Sequence, residues 1–596
     1  MISVEVLSRA SLVTRNAVFF GWLIPSFGLV AVGTHLVRRR AETKLPRPQF
    51  VLRPQESFLL IGILVVLLLT ALVAWYSPPQ TWDSLNYHVA RVAHWAQQAT
   101  VAHFATGIEV QNSRPPAAEF MVLHIYLLGG GDKFVNFVQW TAMLLSMTGA
   151  SLLSGQLGAG QRGQLLSAVF VVSLPMGIVQ ASSSSTDYLV ALWCLAAASE
   201  TLTIRERGSE PVSLLFLGLA SGLALATKPT AVAYLAPFGA YTAYLLIRRH
   251  RIPAAVLRAT APALLIALLN AGYLARNLST YGSLNDPSQV AIHSNQLRNL
   301  RGVVSNLVRH LGLQAGTPSP HINKGLTLAV LWIHQTMKLD VNDLRTTAHG
   351  EFSIGPPTTN EDRAGNPLHA YLMLALLGYA ALRRNTVPEL QWLYATLLVL
   401  SLLTLSYLFK WQIFAGRYHL PFFVLAGGLA ACLLEQAVGE KWLPAVAAGL
   451  LVGSIPWLLQ IKSRPLIANE GRTYVDSILH EPREELYLAN GLDLLDPYLV
   501  LTGLIREAGC QAVGIALSGN SAEYPIWAFL GAPGSGVEIQ WIVSGTPSAQ
   551  YRAPNFKPCA VVCEGCPEDQ VELRGLPLVE ARGNFRLYLG SSEGTG

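Results

Sequence analysis

Asp83, in the segment Trp82-Asp83-Ser84-Leu85-Asn86-Tyr87-His88, emerges straight from a long apolar run. A carboxylate at such a place is costly unless it faces water, a partner or a substrate. It can act as a base, with partial burial strengthening its hold on a proton and nearby cations weakening it. Its possible partners also stand at the ends of apolar runs. The cations are Arg114 before Pro115-Pro116, Lys228 before Pro229, Arg276, Lys410, and Arg417 in Arg417-Tyr418-His419-Leu420-Pro421. An arginine there can hold a phosphate through its planar fork, with Tyr418 offering its ring or its hydroxyl. The acids are Glu119, Asp187 after the serine run 182–185, and the pair Glu361-Asp362. Each has an ordinary explanation as well: helix capping for Asp83, Thr186 and Asp187, snorkelling for Lys228, interface anchoring for Arg417 and Tyr418. Their convergence is the signal.

Other chemistries find little support. Gly129-Gly130-Gly131-Asp132-Lys133 lacks the spacing of a phosphate-binding P-loop, and no HExxH pair is present. His88 and His94 with Asp83 do not repeat a known metal-ligand spacing.

The elements that must position these residues are membrane spans. Of 596 residues, 51% are hydrophobic and only 13% charged, so the chain does not read as a soluble globular protein. The net charge of +6 sits mostly in short loops, where it sets topology and not nucleic-acid binding. Apolar runs near the length a bilayer requires lie at 17–37, 57–76, 133–156, 164–182, 187–203, 212–227, 230–247, 256–274, 367–382, 390–408, 419–436 and 442–460. A half-length run at 117–128 is re-entrant or interfacial. The first run extends past a small-residue site at Ala31-Val32-Gly33, with its basic cluster after it, and reads as an extra helix and not a signal peptide.

Arg38, Arg39, Arg40, Lys44, Arg47, Arg53, Arg162, Arg205, Arg207, Arg248, Arg249, Arg251, Arg383, Arg384 and Lys441 fall in every second loop and mark the cytoplasmic side. Asp83, the 182–187 turn, Lys228, the long 275–366 loop and everything after 460 then lie outside. Tyr87, Arg91, His94 and Trp95 recur at helical spacing, which predicts a short interfacial helix from Ser84 with rings at headgroup level. The 275–366 loop holds helix-like pieces near 289–312 and 322–339. After Gln460 a helical pattern at 496–508 and strand-like strings at 512–517, 537–543 and 585–589 predict a small α/β domain. Cys194 and Cys432 sit inside apolar runs, whereas Cys510, Cys559, Cys563 and Cys566 could form two disulfides or a metal site.

This arrangement resembles the GT-C superfamily of membrane glycosyltransferases, close to the family 39 type that includes polyprenyl-phosphate-mannose protein mannosyltransferases and lipid A aminoarabinose transferases. The resemblance covers roughly 57–460 and rests on Trp82-Asp83 with Tyr87-His88, Arg114-Pro115-Pro116, Pro175 before Thr186-Asp187, the 218–229 segment ending in Lys228-Pro229, Arg276-Asn277 with Tyr281-Gly282, and Arg417-Tyr418 with Pro421. It implies a polytopic α-helical membrane protein of about twelve spans: an extra N-terminal helix with a basic cytoplasmic loop over 1–56, a catalytic core over 57–460 with outer loops 77–132 and 275–366, and an extracytoplasmic α/β domain over 461–596. It also implies an inverting glycosyltransferase of the bacterial plasma membrane, taking a hexose or pentose from a polyprenyl-phosphate donor to a lipid, glycan or protein hydroxyl. In that scheme Asp83 is the base, and Lys228, Arg276, Arg417 and Tyr418 hold the donor phosphate. Tyr87, His88, Arg114, Glu119, Asp187 and Glu361 lie nearest the substrates. Many members carry an acidic pair at the first outer loop, whereas this chain has Asp83-Ser84, so no cofactor is implied, although a divalent metal stays open. An outer domain favours disulfides among its four cysteines, in one of three connectivities. The competing classes are a transporter or flippase and a non-catalytic scaffold of envelope-glycan assembly.

Overall fold

A computed structural model describes residues 1–42, 53–439 and 441–590. Lys44 and Arg47 of the basic loop lie outside the described residues, as do the side chains of Arg38, Arg39 and Arg40. The architecture is helical, with a mixed sheet near the C-terminus.

Five helices among the described residues are long and apolar enough to cross a bilayer: Pro54–Tyr76, Asp187–Arg207, Ile252–Tyr281, Glu389–Leu408 and Ala415–Val438. A sixth span results if Gln161–Val172 and Pro175–Ala181 count as one, although they meet at 66°. The sequence predicts a continuous run there. Pro175 breaks it, because Leu174 before it takes an extended ψ of 118° and the proline can only start a new helix. Ala117–Gly129, Pro211–Thr227, Pro367–Leu382 and Leu443–Leu459 are shorter apolar helices. Phe137–Gln156 and Ala231–Arg249 fill the two remaining apolar runs of the core. Close packing depends on small residues: a Cβ at Gly218 would sit 2.7 Å from the backbone of Pro262, which ties Pro211–Thr227 to Ile252–Tyr281.

The long 275–366 loop is more ordered than a connector. Ile252–Tyr281 runs past the predicted end at 274 until Gly282, whose φ of +67° ends it. Three helices follow, Pro287–His293, Leu300–Gly312 and Pro320–Thr336, capped by the Asp286, Asn299 and Ser319 side chains. The predicted piece at 289–312 is therefore two helices, and Asn295 between them is held by the carbonyls of Ser406 and Tyr407.

The C-terminal sheet has the order Glu538–Trp541, Ala512–Ala516, Ala560–Glu564, Phe585–Leu589, Leu576–Arg582, Glu572–Leu573, parallel across the first three strands and antiparallel thereafter. Cys510 and Cys559 stand two residues and one residue before neighbouring parallel strands, in which Val513 pairs with Ala560, and they form one disulfide. Cys563 and Cys566 form the other.

This sheet region packs on the 77–132 loop. Ser84–His88 is a π turn and the α-helix begins only at Val89, so Asp83 caps nothing with its side chain. Arg91, His94 and Trp95 are buried at 1%, 2% and 4% exposure, and so do not lie at headgroup level. They are buried because this loop is an internal joint. Glu523 accepts His94 Nε2 at 2.7 Å, Gln111 Nε2 at 2.5 Å, Trp527 Nε1 at 2.9 Å and Trp541 Nε1 at 3.2 Å. Glu523→Ala strands those buried donors and is expected to cost about 3–5 kcal/mol. Thermal unfolding of the detergent-solubilised protein checks this, and an unchanged midpoint would refute the joint.

Candidate active site

Three chain turns meet at one end of the helical bundle. The first is the π turn after Asp83; the second is the serine turn, tied to the first by Ser184 Oγ on Ser84 Oγ at 2.8 Å. The third is the short 3-10 turn Ala415–His419, which leads into helix Leu420–Val438 and carries Arg417.

Arg417 is the hub. Its Nη1 lies 2.8 Å from Asp83 Oδ2 and 3.1 Å from Asp362 Oδ1. Tyr87, one π turn on from Asp83, donates its hydroxyl to the same Asp83 Oδ2 at 3.1 Å. Beside this group, Lys228 donates to Asp187 Oδ1 at 2.6 Å and lies 5.1 Å from the Tyr418 ring centre. Helix Pro211–Thr227 ends at Lys228 and helix Asp187–Arg207 begins at Asp187, so two helix termini aim the pair at each other. Tyr418 is fixed through its carbonyl, which accepts Tyr234 Oη at 2.5 Å, and its hydroxyl, which accepts Gln412 Nε2.

The two carboxylates on Arg417 are not equivalent. For Asp83, burial is the largest influence and works against ionisation, but the charges of Arg417, His88 and Lys228 outweigh it and hold its carboxyl well below the usual range. For Asp362, burial again dominates, and Asp83, Glu361 and Asp187 add to it against Arg417, so its carboxyl is pushed up to about 7. One acid stays charged while its neighbour titrates near neutrality.

The structure thus brings together Asp83, Tyr87, Asp187, Lys228, Arg417 and Tyr418. Other expected residues are engaged elsewhere. Arg276 is held by both carboxylate oxygens of Glu5, at 2.7 and 3.0 Å, and pairs with no carboxylate of the cluster. Glu5 lies on the N-terminal helix Ile2–Arg9, which hydropathy does not mark. His88 and Glu119 are buried against each other at 2.7 Å, with Arg91 at 3.7 Å from the same carboxylate. Glu361 is fully buried, accepting Ser463 Oγ at 2.9 Å and Asn490 Nδ2 at 2.7 Å, with Arg464 at 3.7 Å. Buried charges of this kind hold loops together and are closed to a substrate. Arg114 donates to Gln289 and lies 3.2 Å from His293, and Lys410 donates to the Ala291 carbonyl. Asp362 is the residue that sequence reasoning passed over in favour of its neighbour. The signal was the Glu361-Asp362 pair, of which one member faces inward and the other the cluster.

Two cavities are lined by neighbours in sequence of the site residues, and by none of Asp83, Asp362, Lys228 or Arg417 themselves. One, of about 290 Å³, is almost wholly apolar, walled by Leu311, Val330, Leu374, Val399 and Phe422, with His419 bordering it two residues from Arg417. The other, of about 350 Å³, is polar and lies between Asn360, Arg363, Lys462 and Tyr474, of which Asn360 and Arg363 bracket Asp362 in sequence. Among the described residues no group of three or more His, Cys, Asp or Glu side chains could hold a metal ion.

No protein-family description matches the chain, and no curated protein does. Solved structures do. The crystal structure of ArnT from Cupriavidus metallidurans bound to undecaprenyl phosphate aligns at 12% identity with a TM-score of 0.51, covering 91% of this chain and 99% of that one. Its apo form aligns at 14% identity with the same TM-score and the same coverage. The chain therefore shares the fold of ArnT, and its sheet lies toward the C-terminal end.

Proposed function

We propose that the protein is an inverting glycosyltransferase that moves a sugar from a polyprenyl-phosphate donor to an acceptor hydroxyl on the outer face of the bacterial plasma membrane. The observation that carries this reading is the juxtaposition of the cluster on Arg417 with an apolar cavity bordered by the same turn. An amphipathic donor needs that combination: a greasy slot for the polyprenyl tail and cations for its phosphate. ArnT, whose fold the chain shares, was crystallised with undecaprenyl phosphate, a carrier of that class.

In this scheme the acceptor oxygen attacks the anomeric carbon from the face opposite the phosphate. The carbon–oxygen bond to phosphate breaks, its electrons go to the leaving group, and configuration inverts. Polyprenyl phosphate departs with added negative charge, which Arg417, Lys228 and the Tyr418 hydroxyl stabilise; one well-placed donor of this kind contributes about 2.7 to 4 kcal/mol. The proton of the acceptor goes to a carboxylate held at Arg417. Arg276, taken up by Glu5, has no part.

The domain plan is about twelve spans in all, an added helix over 1–56 and a core of eleven over 57–460, with an outer domain over 461–596. Two disulfides in the last segment fit an oxidising compartment. The test is transfer by purified protein from radiolabelled polyprenyl-phosphate sugars to envelope lipid and glycan fractions. Donor cleavage with label in the acceptor is expected. Movement of intact lipid-linked sugar across vesicles without cleavage would make it a flippase, and neither activity would make it a scaffold.

A further inference from the structure

We infer that Asp362, and not Asp83, is the proton acceptor of the transfer step: its carboxylate stands on the same guanidinium nitrogen as that of Asp83, yet accepts no hydrogen bond among the described residues. The inference rests on the glycosyltransferase reading above and assigns one residue's task within it.

Hydrogen bonding separates the two acids. Asp83 Oδ2 accepts both Arg417 Nη1 and the Tyr87 hydroxyl, two bonds that favour its charged form and lower its basicity. Asp362 touches Arg417 only through an ion-pair contact at 3.1 Å, and its Oδ2 accepts nothing among the described residues. Its side chain is 23% exposed, and Asn360 and Arg363, two residues before it and one after, line the polar cavity. An oxygen that accepts no donor among the described residues, on a side chain 23% exposed, is where an incoming hydroxyl can place its proton. The neighbouring Glu361 shows the alternative: fully enclosed by Ser463, Asn490 and Arg464, it has no access.

The charged surroundings set the base strength in the useful range. Facing Asp362 are Arg417 from the 3-10 turn, Asp83 from the first loop, Asp187 from the serine turn, Glu361 beside it and Arg464 from the segment after the last span. Burial and the three acids raise its proton affinity, and Arg417 opposes them, which leaves the group at about 7. A base works best with its proton affinity near the operating pH. In the step, the acceptor O–H bond breaks as the new bond to the anomeric carbon forms, and the proton passes to Asp362 Oδ2.

The experiment compares wild type, Asp362→Asn and Asp362→Glu in three readouts. Infrared difference spectra of the resting protein across pH read the carboxyl directly, without any substrate. A protonated-carboxyl band that disappears near neutral pH in wild type and is missing from Asp362→Asn is expected. Transfer at saturating donor should rise with pH and level off above about 7 in wild type, because the charged form is the active one. Asp362→Asn should lose that limb and fall by about 10²–10⁴-fold, while Asp362→Glu recovers part of the rate and keeps a limb. Undecaprenyl phosphate should bind Asp362→Asn within about threefold of wild type, since the proton acceptor acts on the other substrate. A wild-type limb retained in Asp362→Asn, no titrating band, or lost lipid binding would each overturn the assignment. A normal infrared titration in a wild-type protein that cleaves no donor would instead overturn the glycosyltransferase reading and with it the role of the titrating group.

Discussion

Arg417→Ala is expected to lower sugar transfer at neutral pH by about 10²–10³-fold, the range associated with one well-placed donor to a developing negative charge. Two losses combine. In the proposed mechanism the departing phosphate loses one of its cations, and Asp83 and Asp362, until then separated by a guanidinium nitrogen, lose the charge between them. Removing one member of an enclosed charge cluster costs about 3–5 kcal/mol when the remaining charges are fully buried. Here Asp83 and Asp362 keep 27% and 23% exposure, so water takes up part of the uncompensated charge and the stability loss falls toward the low end. Two protons then tell the story: without Arg417 both carboxyls rise, and the variant enters neutral pH with one or both acids protonated. Arg417→Lys is expected to fold as wild type does and to recover only part of the rate, because a single ammonium lacks the planar fork that lets one residue serve several oxygens. Transfer assays paired with thermal unfolding separate the two losses. Near-normal transfer by Arg417→Ala would remove this residue from the mechanism.

Why the spans can be read from sequence while the site's wiring cannot is a matter of what each depends on. Hydropathy reports the solvent a segment must face, and lipid is uniform, so Pro211–Thr227, Pro367–Leu382 and Glu389–Leu408 end within a residue of the runs that predict them. The loop charges sit at the ends of those runs, which is why Asp83, Asp187, Lys228 and Arg417 can be expected on one face before any contact is known. Which of two adjacent acids turns inward is a different kind of fact. Glu361 is enclosed because Ser463, Asn490 and Arg464, more than a hundred residues away, supply its partners. Arg276 likewise is removed from the cluster by Glu5, at the far end of the chain. The sheet shows the same limit: Ala560–Glu564 is a central strand with too short an apolar run between Cys559 and Cys566 to stand out, and Leu576–Arg582 contains Pro577. The disulfide pairing followed from strand order, which spacing does not carry.

Asp83→Asn distinguishes the two ways of dividing labour between the carboxylates. The change keeps shape, and an asparagine oxygen can still accept Arg417 and Tyr87, so insertion, folding and thermal midpoint are expected to stay near wild type. What disappears is a full negative charge beside Asp362 and Arg417. Since Asp83 is among the charges that raise Asp362, its neutralisation leaves Arg417 less opposed, and the Asp362 carboxyl falls from about 7 toward the ordinary range. A weaker base and a less well-held guanidinium together should reduce transfer by about 10²-fold or more, the lower bound for losing positioned proton transfer. The acid limb of the remaining activity should move to lower pH. That sign is the discriminating feature. If Asp83 were itself the proton acceptor, its limb would lie far down the acid range in wild type, and Asp83→Asn would leave the residual rate with no dependence on it. Normal turnover in Asp83→Asn would exclude both arrangements, because in each of them the negative charge at Asp83 holds Arg417 in the place where the phosphate departs.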